Sequence, residues 1–120
     1  MDIYTELIVD LNKNPLNRRT IANADITHSG ANVTCGDRLR VYIKIDSSGT
    51  ITDASFEGEG CAISIASASL ITEEMRGGKI KDVISWSSAT VFKWLGVELG
   101  QARIKCALLS LETVQQGLKR

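Results

Sequence analysis

Cysteine and proline are scarce in this chain, charge of either sign is balanced, and long apolar runs are missing. Only three of the 120 residues are cysteine. An odd number excludes a closed set of intrachain disulfides, and a cytosolic chain keeps its thiols reduced. No CxxC pair is present, so no zinc-knuckle spacing is offered. Fourteen basic residues match fourteen acidic ones, which removes any long-range pull toward nucleic acid or an anionic membrane. No apolar run approaches the ~20 residues needed to cross a bilayer, and Met1–Glu6 offers neither a basic region nor a signal-peptide core. Repeats, low-complexity tracts and linkers are also missing. What is present is ordinary globular composition, 43% hydrophobic and 23% charged. The expectation is one soluble cytoplasmic domain spanning residues 1–120, long enough to bury about two-thirds of its unfolded surface.

Ile3, Leu7, Ile8 and Leu11 recur at helical spacing, with Asp2 placed to cap the start. Asn12-Lys13-Asn14-Pro15 ends this helix at the only proline. Residues 16–23 are polar and basic and read as a loop. Leu39, Val41, Ile43 and Ile45 alternate with Arg40, Tyr42, Lys44 and Asp46, which marks a half-buried antiparallel strand. Ser47-Ser48-Gly49 supplies a turn, and Ile51, Ala54 and Phe56 form the next strand, with a slip in spacing near Asp53 that predicts a bulge. A weaker strand is expected around 24–26 and 31–34, interrupted at Ser29-Gly30. Cys61–Met75 is rich in Ala and Ser and reads as a helix whose small residues allow close backbone approach, ended by Gly77-Gly78. Short helical pieces follow at 79–85 and 87–95, and a last helix at about 103–118 places Ile104, Leu108, Leu111 and Val114 on one face. The class is α+β: an antiparallel meander followed mostly by helices.

Scattered cysteines are usually buried packing residues, but their positions here argue otherwise. Cys35, in Thr34-Cys35-Gly36-Asp37, falls in the turn before the strongest strand. Asp37 either converges with Cys35 on a metal or merely closes an Asx-turn. Cys61 opens a helix, where backbone N–H groups favour thiolate; a small residue suited to the Gly58-Glu59-Gly60 approach is the alternative. Cys106 is placed in the first turn of the last helix, near Arg103 and Lys105, whose charge favours thiolate; simple core packing is the alternative. All three thus fall at predicted element boundaries. With Asp37 they make a four-ligand set acceptable to zinc or to iron with sulfide, and the harder oxygen ligand would loosen a cluster. Gly58-Glu59-Gly60 lacks the third glycine of a dinucleotide loop, and Glu59 would repel phosphate. The single histidine, His28, has no Ser or Asp partner at a catalytic spacing and reads as a solvated strand or loop residue.

The motifs Cys35-Gly36-Asp37, Gly58-Glu59-Gly60-Cys61-Ala62-Ile63-Ser64 and Arg103-Ile104-Lys105-Cys106-Ala107-Leu108-Leu109 resemble, in order and spacing, the three ligand motifs of the U-type iron–sulfur scaffold proteins (IscU, SufU and the NifU N-terminal domain). The resemblance runs from about residue 2 to 118. It implies a three-stranded antiparallel sheet packed by an N-terminal helix and C-terminal helices, with the ligands at one exposed end. It implies Cys35, Asp37, Cys61 and Cys106 as ligands of a transient [2Fe–2S] cluster, or of zinc in the isolated protein. It also implies a pyridoxal-phosphate cysteine desulfurase as sulfur donor and iron–sulfur acceptor or carrier proteins downstream. Lys105 in place of a histidine resembles the SufU branch, but only 44 residues separate Cys61 from Cys106, without the usual SufU insertion. Glu98-Leu99-Gly100-Gln101-Ala102 stands where a Leu-Pro-Pro-Val-Lys chaperone motif would be. Two functions follow from the resemblance: a scaffold, doing little bond-making itself, or a zinc-dependent sulfurtransferase with Cys35 as persulfide acceptor.

Overall fold

The computed structural model describes residues 3–119; the side chain of Ala102 is also left undescribed, and Asp2, expected to cap the first helix, lies outside the described residues. Helix α1 (Ile3–Lys13) precedes a meander of β1 (Ile26–Asn32), β2 (Asp37–Ile45) and β3 (Ile51–Glu59), and helices α2 (Ala62–Met75), α3 (Ile80–Ser85), α4 (Ser88–Leu95) and α5 (Gln101–Leu118) follow. The sheet order is β1-β2-β3, antiparallel throughout. This is the expected α+β class.

Period two sorts the sheet into two faces. Leu39, Val41 and Ile43 of β2 lie beside Gly58, Phe56 and Ala54 of β3 and Gly30, His28 and Ile26 of β1. That row faces the helices, and Leu39, Val41, Ile43, Ala54 and Phe56 are buried. The same alternation turns Asp37, the first residue of β2, toward the helices, whereas Arg38 and Arg40 face outward. The predicted bulge is present: Lys44 pairs with Asp53 but Ile45 with Ile51, which leaves Thr52 as the extra residue.

Two expectations need correction. Ser29-Gly30 does not interrupt β1, which is one strand over Ile26–Asn32. A Cβ on Gly30 would lie 2.2 Å from Thr113 Oγ1, so glycine is there to admit α5, not to break the strand. The segment 16–23 is also more than a loop. Arg18 bridges in parallel to Phe56, and Arg19 N–H donates to the Phe56 carbonyl at 2.9 Å. Arg19 further grips Asp53 through both guanidinium nitrogens, at 2.7 and 3.1 Å. The chain then crosses to the other side of β2, where Asp25 N–H donates to the Ile43 carbonyl and Lys44 Nζ to the Asn23 carbonyl.

The Ala/Ser composition of α2 has a packing cause. The helix is buried at Ser64–Ser69, Ile71, Thr72 and Met75, and its hydroxyls satisfy neighbouring backbone. Ser67 donates to the Ala107 carbonyl at 2.6 Å and lies 3.1 Å from Ser110 Oγ. Ser69 Oγ accepts from Leu16 N–H, and Thr72 Oγ1 from the Asn17 amide. Small side chains bring the α2 and α5 backbones close, and these hydroxyls fix one against the other. Trp86 and Trp94 are half-buried and meet edge to face with centroids 5.0 Å apart.

Candidate metal centre

The β1–β2 turn, the start of α2 and the second turn of α5 meet at one end of the sheet. Cys35 lies in the turn, held by its N–H on the Asn32 carbonyl at 3.2 Å, and Gly36 turns the chain with φ +73°. This turn is open: Cys35 is exposed and Val33 is 92% exposed. Asp37, by contrast, is fully buried. Its Oδ1 accepts the Cys61 N–H at 2.9 Å, so the carboxylate reaches across to the next motif and does not serve an Asx-turn. Its Oδ2 is buried without a hydrogen-bond partner.

The sequence places Cys106 at a boundary in the first turn of the last helix. The helix in fact starts at Gln101, which puts Cys106 in its second turn, fully buried. The expected pull of Arg103 and Lys105 toward thiolate does not prevail there. Burial pushes the Cys106 thiol up to about 12, and the adjoining Asp37, Cys35 and Cys61 groups push the same way. Of the two cations, Arg103 lies against the sulfurs: its own pKa is raised first by Cys106, then by Cys61. Lys105 instead lines a small cavity of ≈ 190 Å³ with Asn32, Leu109 and Glu112.

Cys61 is the N-cap residue of α2, as its position predicts. Burial raises its pKa, but the Ser64 N–H and hydroxyl, the Cys106 thiol and the Ile63 N–H outweigh that, and the net shift is downward. These are the donors a helix start offers to a thiolate.

One ligand atom each from Cys35, Asp37 and Cys106 lie within 4.8 Å of one another. Cys61 is not in this tightest group. It adjoins it, through its thiol beside Cys106 and its peptide N–H on Asp37. Two thiols and a carboxylate oxygen drawn together in this way fit a thiophilic metal, and Cys61 is the adjoining candidate for a fourth ligand.

Sequence reasoning passed over two residues that shape this site. Ser64 Oγ lies 3.6 Å from Cys61 Sγ and donates to the Cys106 carbonyl at 3.4 Å, clamping two motifs together; its i+3 spacing from Cys61 was the available signal. Gly60 is required by close approach, because a Cβ there would lie 2.6 Å from Asp37 Oδ1. His28, read as solvated, is half-buried in β1 with Nε2 3.4 Å from Gln116 Oε1.

A three-stranded meander capped by helices, with thiols and one carboxylate gathered at its end, defines a small α+β domain with a candidate metal site. The chain belongs to the NifU-like N-terminal domain family, which matches residues 3–120. It is 36% identical to the zinc-dependent sulfurtransferase SufU of Bacillus subtilis, over 98% of this chain and 90% of that one. It is 30% identical to the iron–sulfur cluster assembly scaffold protein IscU of Thermotoga maritima, over 98% and 94% of the two chains. Its fold is similar to the crystal structure of FiSufU from Fervidobacterium islandicum, with TM-score 0.78, 29% identity and 94% of each chain covered.

Proposed function

We propose that this protein is an iron–sulfur cluster assembly scaffold, which receives sulfur from a pyridoxal-phosphate cysteine desulfurase, builds a [2Fe–2S] cluster as its cargo and yields it to acceptor proteins. The observation that carries the reading is the convergence of Cys35, Asp37 and Cys106 with Cys61 alongside. Cys35, Asp37, Cys61 and Cys106 are the proposed ligands. Their unequal burial suits a scaffold. Asp37 and Cys106 form a buried floor, while Cys35 stands on an exposed turn through which iron, sulfide and a partner can arrive. The family resemblance and three reduced thiols suit a cytoplasmic setting. Among the described residues no helix is long and apolar enough to cross a membrane.

The likeness to a zinc-dependent sulfurtransferase favours a second reading. Zinc would be held by the same four residues and would keep their sulfurs as thiolates at neutral pH. The Cys35 thiolate would attack the outer sulfur of the desulfurase's persulfide. The persulfide S–S bond breaks, the desulfurase cysteine leaves as thiolate, and the transferred sulfur stays on Cys35. Arg103, beside the sulfurs, offers a positive charge to the anionic group.

Anaerobic reconstitution with ferrous iron, cysteine and a desulfurase tests the first reading. A visible cluster chromophore is expected, lost in Cys35→Ser and Cys106→Ser. A chromophore unchanged in Cys61→Ser removes Cys61 from the ligand set. Strong stimulation of desulfurase turnover by the zinc-loaded protein, with one sulfur retained on Cys35 by mass spectrometry and no chromophore, selects the second reading.

A further inference from the structure

The sheet is shielded along one edge and open along the other. Residues 17–19 run beside β3, through the Arg18–Phe56 bridge and the Arg19–Asp53 pair. On the opposite side, β1 pairs with β2, and no other strand among the described residues joins it. Open edges are normally guarded by charge, proline or a bulge. The segment Ile26-Thr27-His28-Ser29-Gly30-Ala31-Asn32 has no Lys, Arg, Asp, Glu or Pro, and its register against β2 is continuous. Thr27, Ser29 and Ala31 are small and exposed on the outer face.

Charge on that face is arranged asymmetrically. Arg38, Arg40 and Lys44 stand on β2, and the facing acids, Asp53, Glu57 and Glu59, are all on β3. Glu59 pairs with Arg38, and Glu57 accepts the Tyr42 hydroxyl. Arg40 bonds the same Tyr42 hydroxyl and reaches β1 as well. Its Nε donates to Ser29 Oγ at 3.1 Å, which carries the guanidinium over β1 toward the open edge. A groove of ≈ 670 Å³ follows this face, lined by Ser29 and Ala31 of β1, Arg38 and Arg40 of β2 and, at its β3 side, Glu57 and Glu59.

We propose that the outer edge of β1 is a docking site for an extended acidic segment of a partner protein, added to the sheet as a fourth strand with a carboxylate on Arg40. Strand addition draws affinity from backbone hydrogen bonds and specificity from alternate side chains. Small residues on β1 leave room for the incoming side chains, and Arg40 selects their charge. Charge argues against a second copy of this chain as occupant, since a β1–β1 seam would bring two Arg40 side chains together with no acid on either β1. The strand ends at Asn32, three residues before Cys35, so a docked segment would reach the mouth of the thiol site. The inference rests on the sheet edge and its charges and stands whether or not the site holds a metal.

The test is fluorescence anisotropy at low salt with the whole chain and a labelled peptide of alternating Thr and Glu. Saturable binding is expected, weaker at high salt and absent with the Thr–Lys counterpart. Arg40→Glu should weaken it at least about tenfold, since it removes one charge-assisted pair and sets an acid in its place, with circular dichroism unchanged because Arg40 is exposed. Backbone N-methylation of the peptide should abolish binding, and added peptide should slow amide exchange in β1. No saturable binding, equal binding of the Thr–Lys peptide, or indifference to both Arg40→Glu and N-methylation overturns the proposal. So does a concentration-dependent dimer whose formation blocks the peptide.

Discussion

Asp37 puts a carboxylate where the alternation of β2 asks for an apolar side chain, in the same row as Leu39, Val41 and Ile43. A buried acceptor without a partner costs about 1–3 kcal/mol, and Asp37 Oδ2 is such an atom. Asp37→Asn keeps an oxygen for the Cys61 N–H and replaces the orphaned one by an amide nitrogen that can donate to the neighbouring sulfurs. Denaturation of the metal-free protein should find it no less stable than the parent, whereas its zinc or iron affinity falls at least about tenfold. Asp37→Ala strands the Cys61 N–H and should cost about 1–2 kcal/mol. A metal-free Asp37→Asn protein clearly less stable than the parent would make Asp37 a structural residue. Gly60 tests the same geometry from outside the ligand set. Its backbone is ordinary, but a Cβ would meet Asp37 Oδ1 at 2.6 Å and Ser64 Cβ at 3.0 Å. Gly60→Ala should lower metal affinity roughly tenfold with an unchanged circular dichroism spectrum. At this scale the sequence singled out residues that the fold brings together and missed what holds them. Cys35, Asp37 and Cys106 do converge, but the seating of Cys106 inside α5 and the Ser64 clamp depend on how α2 lies against α5, which no local spacing encodes.

Helix α5 can approach β1 only because Gly30 has no side chain. Thr113 fills that space, its hydroxyl turned back to the Leu109 carbonyl at 2.7 Å. Gly30→Ala should destabilise the fold by about 1–3 kcal/mol through overpacking. Thr113→Ala should restore most of it, a coupling that a double-mutant cycle by urea denaturation measures. Additive effects would mean that the two residues do not meet. Read locally, Ser29-Gly30 is a strand breaker, and only the helix laid over it explains the glycine. The strap at 17–19 was hidden for a similar reason, since its pairing partners lie on β3, far along the chain. Its Arg19–Asp53 pair is pH-dependent. The Arg19 hydrogen bond, opposed by burial and aided by the Ala54 N–H, holds Asp53 below its usual value. A pKa depressed by folding contributes stability above the unfolded value near 3.9, and that contribution disappears as pH falls through the folded value. Arg19→Ala should therefore cost about 0.5–1 kcal/mol at neutral pH. The gap from the parent should close below about pH 4. A gap independent of pH would place the strap's stability in its backbone bonds instead.

Over the whole molecule, the elements were legible because hydrophobic period is local, whereas the site is a product of topology. Asp37 follows β1, Cys61 follows β3, and Cys106 lies beyond two short helices, so a metal at this end would tie together three segments distant in sequence. Binding of that kind is folding free energy. At a free zinc concentration about a hundred times the dissociation constant, the gain is about 2.7 kcal/mol, roughly 10 °C in melting temperature for a chain of this length. The Trp86–Trp94 pair reports the transition away from the thiols. Gln115 of α5 donates to the carbonyls of Val83, Ile84 and Trp86 at 3.1, 3.2 and 2.8 Å. The indole pair is thereby fastened to the helix that carries Cys106. Melting followed by tryptophan fluorescence should rise with zinc and fall back with a chelator, and Cys106→Ser should abolish the difference. Equal midpoints with zinc and with chelator would mean that the folded state does not hold the metal across the three segments. A shift that survives in Cys106→Ser would mean that α5 is not one of those it joins.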